Sequence, residues 1–321
     1  MQRRFTRASL PVVLFLAGVM VAGCGQYNTL RARKAFKEAN TLYQQQDYRR
    51  AAEKYEEVIG LGVAREDPNL TPAYFFLANS YDNLYKPGRK GEAENDAYLE
   101  KAIENYRVSA EIEQDKTIKT RSLQYLVAAY GPDKVNDPAE AEPLLQEMIR
   151  LDPADTSNYV MLSKMYEDAG EYELAEKVLV DAKNARPNDS SVYMQLAAYY
   201  NRQGEFEKTM GALNERAQSE PNNPEAFYTM SMYYWEKAYR DFRLKDTEKL
   251  TYIKQGLEAA DRALSLNAEY PDALTAKNLL LRSQALVEKD PARQQALLKE
   301  ANAIYEKAME LRKRKAGGTG D

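Results

Sequence analysis

The 321-residue chain contains no histidine, one cysteine (Cys24) and one tryptophan (Trp235). Without histidine it lacks the side chain that most often serves as general base near neutral pH and as metal ligand. A lone cysteine forms no intrachain disulfide and no thiolate metal cluster. Glycine is sparse, at 15 residues, and no Gly-rich phosphate loop, nucleophile elbow, Ser-x-x-Lys pair or calcium loop occurs. Carboxylate pairs such as Glu140/Glu142 and Glu171/Glu173 remain, and acids so placed on helices read as solvated surface. The chain therefore reads as a non-enzyme that needs no cofactor and no metal. Positive charge is not in excess either: 45 Lys+Arg against 49 Asp+Glu give −4, which argues against a nucleic-acid partner. The longest apolar run, Leu10 to Val21, is shorter than the roughly 20 residues of a membrane span.

What the chain has in quantity is tyrosine, 24 residues, and the tyrosines are periodic. Tyr159, Tyr193 and Phe227 are each 34 apart, as are Tyr166, Tyr200 and Tyr234, and Pro153, Pro187 and Pro221. Leu162, Leu196 and Met230 keep the same step, and so do Gly170 and Gly204. A fixed period of this length marks stacked helix-turn-helix units, none of which can bury its apolar face alone. Within one period Tyr159, Leu162, Ser163 and Tyr166 share a helical face. After Gly170 a second face follows, with Tyr172, Ala175, Leu179 and Ala182. Glycine supplies the left-handed residue at the turn, and proline closes the unit. The predicted fold class is all-α, an α-solenoid of stacked antiparallel helix pairs.

With aromatics, small residues, Gly and Pro at these offsets, the chain resembles the tetratricopeptide-repeat (TPR) family. Residues 156–189 satisfy the whole pattern, and 190–223 most of it, with Thr209 and Arg216 where two alanines are usual. Residues 32–65 match through Ala39, Leu42, Tyr48, Ala51, Tyr55 and Val58. Units 71–116, 120–155 and 224–270 carry insertions, a degenerate pair over 271–315 caps the array, and 316–321 read as a disordered tail. The Tyr85–Asn95 insertion reads as an exposed loop, and the Ala238–Thr251 insertion as an extension of two helices.

The resemblance also implies where a partner binds, because certain positions of each first helix in this family face a concave groove. Here they are Phe36, Asn40 and Tyr43, then Phe75, Asn79 and Asp82. Val160 and Lys164, Met194 and Asn201 follow, then Tyr228, Met232 and Trp235, and finally Leu279 and Arg282. Asn40 and Asn79 are equivalent, and an asparagine amide can bond both backbone groups of an extended peptide. It can equally satisfy groups of its own chain. Tyr228, Met232 and Trp235, spaced i, i+4, i+7, suit an anchor pocket for apolar side chains, or a piece of core if the insertion folds back. The lysine of family members that clamp a C-terminal carboxylate is absent: Phe36 and Phe75 stand there.

Arg3, Arg4 and Arg7, a short apolar core, and Val21-Ala22-Gly23 before Cys24 resemble a bacterial lipoprotein signal. That resemblance implies cleavage of 1–23, acylation of Cys24 with palmitate-type chains, and a tether over 24–31. Gly25-Gln26 after the cysteine resembles the pattern that sorts lipoproteins to the outer membrane, facing the periplasm. Loss of three arginines and no acid takes the net charge from −4 to −7. The expectation is a lipid-anchored envelope adaptor that holds a protein partner in its groove. It is similar in build to TPR lipoproteins that assemble envelope, secretion or pilus machines. The alternative is a self-associating structural protein; the sequence leaves oligomeric state open.

Overall fold

The computed structural model describes residues 10–317, with side chains from Gln26 to Ala316. Cys24, expected to be lipidated, and the signal segment 1–23 lie outside the described side chains, and residues 318–321 lie outside the described backbone.

Fourteen α-helices make up the described chain, with no strand among the described residues. The first six are α1 (Leu10–Gln44), α2 (Tyr48–Gly60), α3 (Pro72–Leu84), α4 (Ala93–Ile112), α5 (Lys116–Ala129) and α6 (Pro138–Leu151). Next come α7 (Thr156–Asp168), α8 (Tyr172–Ala185), α9 (Ser190–Arg202) and α10 (Phe206–Ser219). The last four are α11 (Pro224–Arg240), α12 (Asp246–Leu266), α13 (Pro271–Val287) and α14 (Pro291–Gly317). Two compact units divide between Met165 and Tyr166. In the first, each helix from α1 to α6 packs on the next, and α3 also touches α1 and α5. In the second, the same succession runs from α8 to α14, with α11 also against α13.

Short side chains sit where the helices approach. Ala39, Ala51, Ala78, Ala102, Ser109 and Ser122 in the first unit are fully buried, as are Ala175, Ala182, Ala197, Thr209, Ala260 and Ala263 in the second. Large residues beside them fill the remaining space, Tyr55, Tyr106, Leu123 and Leu145 in one unit, Leu213, Ile253 and Leu280 in the other. The periodic residues touch one another: the Tyr193 hydroxyl donates to the Pro187 carbonyl at 2.6 Å, and Tyr159 to that of Pro153 at 3.4 Å. Gly170 and Gly204 carry φ of +80° and +75°, the left-handed turn that only glycine adopts without strain. Helix starts are set by Asp47, Asp115, Asp137, Asp189 and Asn223, whose side chains accept backbone N–H bonds.

A second contact recurs between neighbouring pairs. The Tyr81 hydroxyl donates to Glu56 while Lys101 bonds both, its Nζ 4.7 Å from the centre of the Tyr81 ring. In the second unit the Tyr200 hydroxyl likewise donates to Glu176, and Lys208 bonds Glu176 with its cation 5.1 Å from the Tyr200 ring centre.

Residues 24–31, expected as a tether, fall within the span of α1. No glycine or proline interrupts 26–44, and Asn28 Nδ2 reaches the Leu61 carbonyl at 3.5 Å. At the other end α14 reaches Gly317, two residues beyond 315. The insertion after α3 is a short exposed turn, closed by Asn95, which accepts from Lys86 N at 2.8 Å and donates to Lys86 O at 3.1 Å. The later insertion lengthens α11 and α12 to 17 and 21 residues, where most of the helices have 13 or 14.

Gly256 marks the tightest approach. A methyl group there would lie 2.7 Å from Leu280 Cδ2 and 3.1 Å from Tyr234 Cβ, whereas one at Gly211 meets nothing within 4 Å. Gly256→Ala should therefore destabilise, since overpacking costs about 1–3 kcal/mol and outweighs a helix-propensity gain of about 1 kcal/mol. Gly211→Ala, on the exposed face of α10, should stabilise by about 1 kcal/mol. Urea unfolding should rank Gly211→Ala above wild type and wild type above Gly256→Ala.

Stability should also fall at high pH. Burial raises the Tyr55, Tyr106 and Tyr200 hydroxyls, and pushes that of Tyr270 up to about 12. Folding thus keeps protons on groups that the unfolded chain releases near pH 10, so stability is full below about pH 10 and is lost as pH rises further. With no histidine to titrate, melting temperature should stay flat between about pH 6 and 9. Phenolate absorbance should rise together with unfolding in the alkaline limb.

Candidate functional site

The first unit carries an aromatic cleft between α1, α3 and α5. Its cavity of about 480 Å³ is lined by Tyr43, Phe75, Phe76, Arg121, Gln124, Tyr125 and Ala128. Its walls follow from the packing: short residues bring the helices together on one side, so the aromatic positions of the first helix of each pair face the other. Tyr43 meets Phe76 edge-on at 5.2 Å, Phe76 meets Phe75 at 5.3 Å, and Phe75 meets Tyr125 at 5.9 Å. Beneath them the Tyr125 ring stacks on fully buried Tyr106 at 5.2 Å. Such edge-on and offset pairs hold the rings in fixed positions.

A polar network braces this wall. The Tyr43 hydroxyl donates to Asn79 Oδ1 at 2.6 Å, and Asn79 Nδ2 donates to the Tyr106 hydroxyl at 3.0 Å. Asn83 Nδ2 adds a bond to Asn79 Oδ1 at 2.9 Å. Asn79 is 4% exposed and its amide is spent on its own chain, the second of the two uses open to it from sequence. Asn40 is only half-buried, and its Oδ1 accepts from the Tyr55 hydroxyl at 2.7 Å. Phe36 packs on Tyr55 at 5.9 Å and does not line the cleft. Asp82 is taken by an ion pair with Lys134. Burial raises the Tyr43 hydroxyl, with Tyr48 and Tyr125 adding to the rise, while the Arg121 charge opposes it. Arg121 is exposed, and no ion pair or hydrogen bond holds it among the described residues.

The structure therefore brings Tyr43, Phe75 and Asn79 to one place, and adds Phe76, Arg121, Gln124 and Tyr125. The offsets that select Phe75 and Asn79 in the unit beginning at 71 select Gln124 and Ala128 in the unit beginning at 120, and Arg121 stands at the second position, where the unit at 71 has Pro72. On α7, Val160 is half-buried and Lys164 is exposed.

The other expected groove residues lie in the second unit and are mostly engaged. Met194 Sδ accepts from Arg216 Nη1 at 3.0 Å. Arg216 itself is 5% exposed, in a position where the repeat usually has alanine, and is neutralised by Glu220 and Glu225, each at 3.3 Å. Tyr228 packs edge-on to Tyr270 at 5.5 Å, and Met232 is half-buried. Trp235 lies against the buried cluster of Ala238, Ile253, Ala260 and Leu280. The lengthened helices fold back on this stripe, so it is not an open anchor pocket. Asn201 is exposed on the rim of a separate cavity of 410 Å³. Leu279 is half-buried, and Arg282 bonds Asn302 at 2.5 Å. The basic residues near the C-terminus are paired too, Arg312 with Asp272 and Arg314 with Glu269.

The stacked helix pairs make a TPR-type repeat fold. A tetratricopeptide-repeat family model matches residues 134–199. The C-terminal part of a TPR repeat-containing protein from Cytophaga hutchinsonii aligns over 86% of this chain and 98% of its own, at 16% identity and a TM-score of 0.51. MamA from Desulfovibrio magneticus RS-1 aligns over 61% of this chain and 96% of its own, at 16% identity and a TM-score of 0.38. YrrB, a TPR protein with an unusual peptide-binding site, aligns over 64% and 94%, at 17% identity and a TM-score of 0.40. The Cytophaga structure supports the fold, and at these identities none extends to function. No curated protein matches the chain. No described helix is long and apolar enough to cross a membrane.

Asn79→Ala should destabilise by about 1–3 kcal/mol, because it strands two tyrosine hydroxyls on buried or half-buried rings. A paired Tyr43→Phe/Asn79→Ala variant should lose less than the sum of the single changes in chemical denaturation.

Proposed function

We propose that the chain is a non-enzymatic, lipid-anchored adaptor of the bacterial cell envelope, which holds a segment of a protein partner in the cleft between α1, α3 and α5. The observation that carries this reading is the pairing of a fixed aromatic wall with an exposed cation, Arg121, that no ion pair or hydrogen bond holds among the described residues. Rigid rings offer apolar contact at small entropic cost, and an arginine at their edge selects a carboxylate. The fitting ligand is an extended segment with an aromatic or large aliphatic side chain beside Asp, Glu or a terminal carboxylate. The cation that the first helices lack at Phe36 and Phe75 is thus supplied by α5.

Membrane attachment through Cys24, and an outer-membrane position facing the periplasm, rest on the signal-like residues 1–24 and the following Gly25-Gln26. More than one acyl chain is needed for stable anchoring. Cys24→Ser should move the protein from the detergent-rich to the aqueous phase on Triton X-114 partitioning; retention in detergent would refute acylation at this residue.

The cleft is tested with a displayed random-peptide library selected on the purified chain. Enriched peptides should pair an aromatic or aliphatic residue with an acid. Arg121→Glu should weaken them about 10-fold or more, as expected for loss of a charge-assisted bond of about 1.5–3 kcal/mol together with added repulsion. Peptides without acids, or binding indifferent to Arg121→Glu and Tyr125→Ala, would contradict the reading.

A further inference from the structure

Near the end of the first helix of several pairs stands a tyrosine that meets the second helices of its own and the preceding pair. At three such junctions those helices supply it with one cation and one carboxylate. Tyr81 has Lys101 and Glu56, Tyr130 has Arg107 and Glu140, and Tyr200 has Lys208 and Glu176. The cations lie 4.7, 5.7 and 5.1 Å from the ring centres. Tyr234 stands 34 residues after Tyr200, and its junction lacks the charged pair. Met210 is found 34 residues after Glu176, and Gln255 takes the place of the lysine. Lys101, Lys208 and Gln255 each directly precede the small buried residue of a second helix, Ala102, Thr209 and Gly256.

What the missing pair leaves is a pocket of about 290 Å³ between α10, α11 and α12. It is lined by Met210, Tyr234 and Gln255 themselves, by the rings of Phe206 and Tyr252, and by two carboxylates, Glu207 and Glu248. Phe206 meets Tyr252 edge-on at 5.2 Å and Tyr234 at 5.9 Å, which fixes the aromatic wall. No cation lines the pocket. Glu207 is exposed, and no ion pair or hydrogen bond holds it among the described residues. Glu248 accepts the Lys245 backbone N–H on Oε2 at 2.9 Å, which leaves Oε1. The surrounding lysines do not supply the charge. Lys208 is held by Glu176 and Glu205, Lys237 by Asp241 and Lys254 by Glu258, and Lys245 and Lys249 do not line the pocket. Burial, then the Glu207 and Glu258 charges, raise the pKa of the Tyr234 hydroxyl, with no cation opposing them.

An aromatic wall with uncompensated carboxylates selects a cation. Lys101 and Lys208 show the group that fits this place in the repeat, an ammonium on a flexible apolar stem. An aminophospholipid headgroup carries a phosphate beside its ammonium, and two carboxylates repel it. We propose that the pocket between α10, α11 and α12 takes the side-chain ammonium of a lysine of a partner protein, completing from outside the contact that Lys101 and Lys208 make from within. The stem packs on Met210, Tyr234 and Tyr252, and Glu207 and Glu248 answer the charge. The site lies wholly in the second unit and is independent of the cleft in the first.

The test is ligand-observed NMR on the full chain carrying Cys24→Ser. The probe is Nα-acetyl-lysine methylamide, run beside Nα-acetyl-norleucine methylamide, which has the stem without the charge. The lysine probe should bind with a Kd on the order of 1 mM, and the norleucine probe about 10-fold more weakly or worse. Glu207→Gln should weaken the lysine probe about 5-fold or more. Gln255→Lys, which supplies the cation from the chain itself, should abolish binding. Both positions are exposed, so circular dichroism should be unchanged in either variant. Equal binding of the two probes, no binding of the lysine probe at about 20 mM, or binding indifferent to both substitutions would overturn the proposal. So would retention on phosphatidylethanolamine vesicles that Gln255→Lys removes, in a chain that ignores the lysine probe, which would assign the pocket to a lipid headgroup.

Discussion

The structure depends on one constraint: helices must approach closely enough for short side chains to meet across the seam. Fully buried Ala39, Ala51, Ala78 and Ala102 in the first unit, and Ala175, Ala182, Ala260 and Ala263 in the second, are the places where this happens. A longer side chain at such a seam must displace a neighbour, as at Gly256 beneath Leu280. With backbones held close on one side, the large residues of each first helix are directed to the other. The aromatic character of the chain thus follows from its small residues as much as from its tyrosines.

That arrangement explains why the cleft of the first unit is stiff before any ligand arrives. Phe75, Phe76 and Tyr43 are fixed by edge-on contacts, and Asn79 ties Tyr43 to buried Tyr106. A preorganised wall reduces the entropy lost on binding. The sequence invests its polar groups in bracing this wall, and Arg121 stands apart because no ion pair or hydrogen bond holds it among the described residues. In the second unit the corresponding residues are turned inward. Tyr228 and Trp235 reinforce the lengthened α11–α12 pair, and what remains exposed is its tip.

The helix pairs were legible because their markers are local. Tyr193 and Pro187 lie six residues apart and touch, so the 34-residue period reports a physical contact directly. The lengthening of α11 and α12 was legible for the same reason, as an insertion over 238–251 that extends the end of one helix and the start of the next. The destination of the side-chain amides was not. Asn79 meets Tyr43, 36 positions away, and Tyr106, 27 positions away, and no spacing rule distinguishes an amide offered to a peptide from one used internally. Nor was the helical state of 24–31 evident, since a run following a signal-like segment reads as a spacer, whereas the backbone of α1 passes through it. The cation of the cleft was not evident because the third wall comes from the unit over 120–155, and Arg121 joins Tyr43 and Phe75 only in the folded chain.

The most direct test of the central claim is site-specific photo-crosslinking in native membranes, with a photoreactive residue at Tyr125 in the cleft or, as reference, at exposed Tyr172 on α8. The cleft position should give one discrete partner band that disappears with Arg121→Glu, and the reference position should not give that band. The same band from both positions, or a band from Tyr125 unchanged by Arg121→Glu, would contradict the account.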